Sequence, residues 1–302
     1  MNEHFSRRKF LAISGLAATP MPAQTQRIID SHTHFYDTER PGGTPWPSKD
    51  DPVLYRPVLP KEYRKLTARH GIIGTIEVEA SPLVEDNQWV LDLAEKHPII
   101  IGTVGHLEPG MPDFQKQLTR FQKNSRFRGI RIGTLWGKNV NSDLPSKQFG
   151  EDLKAVAEAG LTVDMVGDGD KILPAVLLLS DRIPNLRIII DHLPFQRKEE
   201  STLLPELRGR PDVFAKVSNV PRNVAGRVPV DDAFYRPALD EVYGIFGPDR
   251  VLYGSNWPVS DRIAPFEVAL GIVRGYFGGK GPDVAAKYFH HNAVRAYRLT
   301  RK

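Results

Sequence analysis

Asp30, His32 and His34 recur at every second position in the run Ile28-Ile29-Asp30-Ser31-His32-Thr33-His34-Phe35. In an extended strand alternate side chains share a face, so this spacing sets one carboxylate and two imidazoles side by side. Neutral imidazole nitrogens bind borderline metals and titrate near physiological pH, so the pair reads as a chelate or as a proton-handling couple. A chain with nine histidines also produces His-x-His by chance, each ring then being an ordinary packed residue, so the surrounding sequence has to decide.

The elements that would position this run follow from the alternation of patterns downstream. Helical periodicity falls near 61–70, 85–97, 111–124, 147–160, 170–183, 200–209, 231–246 and 263–297, the last broken near 278–281. Between them lie short β-branched runs at 71–80, 98–107, 127–134, 161–166, 186–192, 213–219 and 250–256. With the opening run this makes eight strands, each followed by a helix, which predicts a parallel sheet closed into a single-domain (β/α)₈ TIM barrel over residues 27–302. An open doubly wound sheet is the alternative, but no glycine fingerprint follows the first strand.

In such a barrel the chemistry sits where the strands end. The ends supply Asp30, His32, His34, Glu77, Glu79, His106, Arg131, Asp164, Asp191, His192, Lys216, Ser218 and Asn256. Buried charges are costly unless paired or used, so a polar group at nearly every strand end is hard to explain as packing. Strand parity sets His192 with Ile188 and Ile190 and puts Asp191 opposite, where it would orient His192 or cap the next helix. Plainer readings stand beside these: Glu77 with Arg131 as a structural ion pair, and Lys216 as the neutraliser of Asp164. His97, His290 and His291 fall on predicted helices as surface or packing residues.

Composition narrows the partners. The 302 residues are 40% hydrophobic and 25% charged, an ordinary globular balance. The net charge of +5 includes +2 from Arg7, Arg8 and Lys9 against Glu3 in the first 26 residues, and the remainder is too dispersed for nucleic acid. With no cysteine, any metal must be held by His, Asp, Glu or carbonyl oxygen. Residues 1–26 read as an export signal: Ser6-Arg7-Arg8-Lys9-Phe10-Leu11-Ala12, then the short apolar run 13–18, in the twin-arginine order. That apolar run is too short to span a bilayer, so the expected partner is the twin-arginine machinery, the expected location periplasmic, and no stable membrane anchor is expected. The long Pro/Gly-rich connection at 36–60 is expected to act as a lid or binding loop. Trp46 and Tyr55 in it, and Trp257, either stack on a substrate ring or pack.

The His-x-His of the first strand, Val78-Glu79-Ala80, Phe127-Arg128-Gly129-Ile130-Arg131, Asp191-His192, Ala215-Lys216-Val217-Ser218 and Tyr253-Gly254-Ser255-Asn256-Trp257-Pro258 occur in an order that resembles the amidohydrolase superfamily. More narrowly they resemble its amidohydrolase-2 branch, which includes lactone hydrolases. The resemblance covers about the whole chain after the export segment. It implies hydrolysis of a small-molecule lactone, or more broadly of a carboxylic ester or amide, at the barrel mouth. His32 and His34 would hold a divalent metal, zinc foremost, or polarise the carbonyl without one, and His192 would assist as ligand or catalyst. Arg131 and Lys216 would anchor a substrate carboxylate or stabilise the oxyanion, with Glu79 and Asp164 beside them.

One position departs from the pattern. The last-strand motif normally ends in the Asp that activates water, and here it reads Asn256. A carboxamide cannot accept that proton and is a weak metal ligand. Either another carboxylate (Asp261, Asp164 or Glu79) takes over, or a metal-bound hydroxide needs only a weak base, or the pocket binds without turnover. Decarboxylation of an aromatic acid is the rival chemistry within the same branch.

Overall fold

A computed structural model describes residues 26–194 and 202–299. Residues 1–25, which make up nearly all of the export segment, lie outside the described residues. Eight strands run in chain order around one sheet: β1 (Ile28–Thr33), β2 (Ile72–Val78), β3 (Ile100–Gly105), β4 (Phe127–Gly133), β5 (Thr162–Val166), β6 (Arg187–Leu193), β7 (Val213–Val217) and β8 (Val251–Tyr253). Every neighbouring pair from β1 to β8 is parallel. Just past β8 the chain returns to β1 through a parallel bridge between Thr33 and Trp257, with Asn256 N donating to the His32 carbonyl at 2.9 Å. The expected eight-stranded barrel is therefore present, one domain among the described residues.

Between the strands lie α1 (Pro60–Thr67), α2 (Asp86–Lys96), α3 (Phe114–Phe121), α4 (Val140–Asp143), α5 (Lys147–Glu158), α6 (Gly169–Arg182) and α7 (Arg236–Phe246), and after β8 come α8 (Phe266–Gly279), α9 (Pro282–Ala286) and α10 (Asn292–Ala296). Local sequence explains their ends: Pro60 sits in the first turn of α1, and the Ser146 hydroxyl caps α5 by accepting from Phe149 N. Two expectations change. The helix expected at 200–209 is a single 3₁₀ turn, Leu204–Leu207, ended by an exposed Gly-containing stretch. α4 was not anticipated, being only four residues long. The long last helix breaks where expected, at Gly281, whose φ of 100° and following Pro282 restart it as α9, and a π-turn over Lys287–His291 leads into α10.

Strands buried on both faces read as near-continuous apolar runs, and two cores result. Ile29, Ile76, Val104, Ile189, Phe214 and Leu252 fill the barrel interior, where Tyr297 and Ala293 join them from the C-terminal helix. Ile28, Ile130, Val163, Ile188, Ile190 and Val217 face outward into the helical layer. The interior face of β4 to β7 then turns polar toward the strand ends, carrying Arg131, Asp164, Asp191 and Lys216. The rim is tightly packed at one glycine in particular. Gly133 has φ +140°, and an added Cβ would lie 1.9 Å from the Val166 carbonyl oxygen.

Gly133→Ala is therefore expected to destabilise the protein by roughly 2–4 kcal/mol, the range of strained and overpacked sites. Gly137, with φ +76° and open space around its Cβ, provides the control and should lose only about 1 kcal/mol as Ala. Urea unfolding of both variants measures the difference, and equal losses would refute the contact.

Candidate active site

The first strand does not keep the simple alternation its sequence suggests. Its pairing with β2 shifts register between Asp30 and Thr33. Asp30 consequently leaves the imidazoles and pins β1 to its surroundings, accepting from Tyr63 Oη at 2.7 Å, Ser255 N at 2.8 Å and His32 N at 3.2 Å. His32 and His34 remain together, with their Nε2 atoms 3.2 Å apart. His34 Nδ1 lies 2.7 Å from the Val78 carbonyl, and since a carbonyl only accepts, Nδ1 carries the proton and Nε2 is bare.

His192 reaches the pair by a backbone turn. By alternation it belongs with the outward Ile188 and Ile190, but its φ is 63°, and this left-handed step swings its ring to 4.6 Å from that of His32. Its Nδ1 meets Ser218 Oγ at 2.9 Å. The same turn is used elsewhere on the rim: Trp136, Asn219 and Asn256 also have positive φ just past β4, β7 and β8. Such conformations cost about 1–2 kcal/mol each for residues with a Cβ, and they cluster at the one end of the barrel where chemistry is placed.

Asp191, on the inner face with Ile189, is the hub. Its Oδ1 lies 2.9 Å from Lys216 Nζ and 3.4 Å from His32 Nδ1, and its Oδ2 lies 3.1 Å from Arg131 Nε. Burial alone would push this carboxyl up, but Lys216, with help from His32 and Arg131, holds it well below the usual carboxylate range. Lys216 also meets Asp164 Oδ2 at 2.5 Å, so it does neutralise Asp164, and Tyr297 Oη donates to the same oxygen at 2.7 Å. Enclosed by two carboxylates and 3.3 Å from His32 Nδ1, the fully buried Lys216 touches the imidazoles rather than the open mouth. The expected Glu77–Arg131 pair does not form: Arg131 turns to Asp191 and, at 3.9 Å, to Glu79. Glu77 is left with a buried Oε1 that has no hydrogen-bond partner among the described residues, and burial pushes its carboxyl well above the ordinary value.

The histidines are held neutral. Burial lowers His32 well below its usual value against the pull of Asp191; burial and the Arg131 charge bring His34 down to about 4; burial outweighs Asp191 to bring His192 down to about 3. Glu79 is pushed the other way, up to about 7, by burial, with Arg131 and the Trp136 indole resisting. That indole donates to both carboxylate oxygens, at 3.1 and 2.9 Å. Asn256 hydrogen-bonds to the His34 ring. Asp261 is farther off: it bonds the Trp257 indole and feels chiefly Arg56, Glu62 and Glu267, while burial raises it to about 6. The structure thus gathers His32, His34, His192, Arg131, Lys216, Asp164, Glu79 and Asn256, and leaves Asp261 aside.

Neutral imidazoles with facing lone pairs suit a metal. Zinc–nitrogen bonds of about 2.0–2.1 Å put two tetrahedral ligands roughly 3.3 Å apart, close to the His32–His34 spacing. His32, Asp191 and His192 likewise each offer a ligand atom within 4.8 Å of the others. His32, Asp191 and His192 therefore fit a divalent ion, with Asp191 a donor that residue parity had hidden, and His34 lies against His32 as a further donor. Trp136 and Tyr297 were missed as well, because one lies in a loop without a motif and the other at the far end of the chain. Of the aromatic candidates, Trp46 packs 5.9 Å from His34, Trp257 is buried against Tyr63 and Phe35, and Tyr55 is exposed. Beside Arg131, a cavity of about 180 Å³ opens between the segments after β3 and β4.

A parallel barrel whose C-terminal rim joins three neutral histidines to a buried Asp–Lys–Arg cluster defines a barrel hydrolase. Residues 29–299 match the family model described as amidohydrolase. The chain belongs to the amidohydrolase family. It is 30% identical to an L-fucono-1,5-lactonase of Burkholderia ambifaria, over 90% of this chain and 96% of that one. Among solved structures it is similar to an amidohydrolase from Burkholderia multivorans with bound zinc (TM-score 0.78, 22% identity, 90% and 99% of the two chains). It is also similar to a putative 2-pyrone-4,6-dicarboxylic acid hydrolase from Pseudomonas putida (TM-score 0.72, 22% identity, 92% and 99%).

The depressed histidines set a pH dependence of stability. Unfolded imidazoles take up protons near pH 6.5, whereas folded His34 waits until about pH 4, so acidification favours the unfolded chain. Between pH 7.5 and 5, His34 alone should remove roughly 2 kcal/mol of stability. His34→Gln lacks this term, so its stability relative to the parent should improve by that amount on going to pH 5. Urea unfolding at the two pH values reads it, and parallel losses in both proteins would show that His34 is protonated in the folded state.

Proposed function

We propose that the protein hydrolyses a small lactone at the barrel mouth, as an exported enzyme. The observation that carries the reading is the packing of neutral His32 against both His34 and His192 beside the Arg131–Asp191–Lys216 cluster, in a chain 30% identical to an L-fucono-1,5-lactonase. His32, His34 and His192 would hold a divalent ion, with zinc suited to imidazole ligands, and it would supply carbonyl polarisation and a more acidic water. Asp191 and Lys216 position His32 through its Nδ1, and Val78 fixes the tautomer of His34. Arg131 offers its charge to an anionic or developing-anion oxygen of the substrate.

Glu79 takes the place of the missing Asp. Of the three replacement carboxylates, Asp164 is tied to Lys216 and Tyr297, and Asp261 answers to other charges. Glu79, with its carboxyl near 7 and its charge felt by Arg131, is poised to take a proton at neutral pH. Water loses its proton to Glu79 and bonds to the carbonyl carbon; the ring C–O bond then breaks, and the departing oxygen takes the proton back. One observation favours a second reading, a binding protein without turnover: Asn256 can hydrogen-bond but cannot act as a base.

The hydrolytic rate should rise with pH through about 7, as Glu79 ionises, and level off above it. Glu79→Gln should lose at least about 100-fold in kcat, the usual scale for a general base. Protein purified without chelator should carry near-stoichiometric zinc that His32→Ala or His34→Ala removes. Failure of the parent to open any lactone, with activity appearing only in Asn256→Asp, would overturn hydrolysis in favour of binding. Export rests on the Arg7-Arg8 run. Replacing both arginines by lysine should hold the protein in the cytoplasm on cell fractionation, and unchanged periplasmic recovery would refute that route.

A further inference from the structure

The cavity beside Arg131 carries information about the substrate that the histidines do not. Its volume, about 180 Å³, is more than ten times what one water requires, so it admits a group the size of a ring. Leu107, Met111, Leu135, Val140 and Phe149 form its walls, and Arg131 and Trp136 connect it to the hub. Three of the titratable groups on its border are engaged with one another. Lys138 Nζ meets Glu108 Oε2 at 2.8 Å, and Glu108 Oε1 lies 3.3 Å from His106 Nε2. Asp143 and Ser146 also lie on the border, so the cavity has one polar side and an apolar wall. A buried hydroxyl without a partner costs about 1–3 kcal/mol, so hydroxyls set against the apolar wall carry that penalty. An enclosed polar handle lies beside that wall: His106 is 4% exposed, and its Nδ1 is buried with no hydrogen-bond partner among the described residues.

We infer that the preferred substrate is a lactone bearing an apolar, phenyl-sized substituent, which this cavity receives while Arg131 faces the reacting end and His106 offers a single hydrogen bond. The inference rests on the lactone reading of the site for its reaction, and on the cavity alone for its choice of substituent. It separates this chain from the sugar lactone that its B. ambifaria relative is named for.

Two measurements on the full protein keep these apart. In the first, kcat/KM is compared for δ-phenyl-δ-valerolactone, unsubstituted δ-valerolactone and L-fucono-1,5-lactone. The phenyl compound should exceed both others at least tenfold, and in Leu135→Asn, which puts an amide in the wall, its advantage over δ-valerolactone should fall at least fivefold. In the second, calorimetry compares the non-hydrolysed lactams 6-phenyl-2-piperidone and 2-piperidone, and the phenyl group should tighten binding at least tenfold. Faster turnover of L-fucono-1,5-lactone, or lactams of equal affinity, would overturn the inference while leaving lactone hydrolysis intact. A phenyl preference in binding with no hydrolysis of any lactone would sustain the inference and remove the hydrolytic reading.

Discussion

The carboxylate of Asp191, ionised inside a closed barrel, sets the terms for everything around it. An isolated buried charge of this kind would cost several kcal/mol, and it persists because Lys216 from β7 and Arg131 from β4 meet it from either side. Those cations are then themselves buried obligations. Lys216 requires Asp164, Asp164 takes a hydrogen bond from Tyr297 at the far end of the chain, and Arg131 draws in Glu79. The strands β4 to β7 are thus held in register at the rim by charge as well as by backbone ladders, and removal of any member leaves the rest uncompensated.

The same cluster fixes the electrostatics of the imidazoles. Two positive groups next to three enclosed rings add to burial in keeping the rings uncharged, and they leave the lone pairs available for a cation or a polarised carbonyl. Glu79 feels the opposing pressures in reverse: enclosure raises it and Arg131 lowers it, and the balance falls near neutrality. A carboxylate that can exchange a proton at physiological pH results from being placed at the edge of the cluster rather than at its centre, where Asp191 cannot.

Much of this was legible in the sequence, and the parts that were not share a cause. Alternation of β-branched runs with helical periods gave the barrel and the order of its rim residues, because burial on both faces of a strand and on one face of a helix leaves distinct patterns. His32, His34, Arg131 and Lys216 were found by strand-end position alone. What failed was parity at irregular backbone. The register shift in β1 turned Asp30 away from the histidines, and the left-handed step at His192 brought that residue inward, leaving Asp191 to occupy the interior one position earlier. Neither event has a residue-type signal, since a histidine in the left-handed region looks like any other in the sequence. Trp136 and Tyr297 were invisible for a different reason, their contacts being separated from the motifs by a loop or by most of the chain.

Position 256 shows how this backbone irregularity bears on the protein's history. Asn and Asp are the side chains that tolerate a left-handed conformation best, and Asn256 occupies one at φ 59° while its amide and carbonyl are committed to His32 and Ser260. The turn is held by main-chain bonds that either residue would make. An exchange between carboxamide and carboxylate therefore keeps the turn and changes only what meets the His34 ring. The chemistry at this corner of the pocket is thus separable from the architecture that holds it.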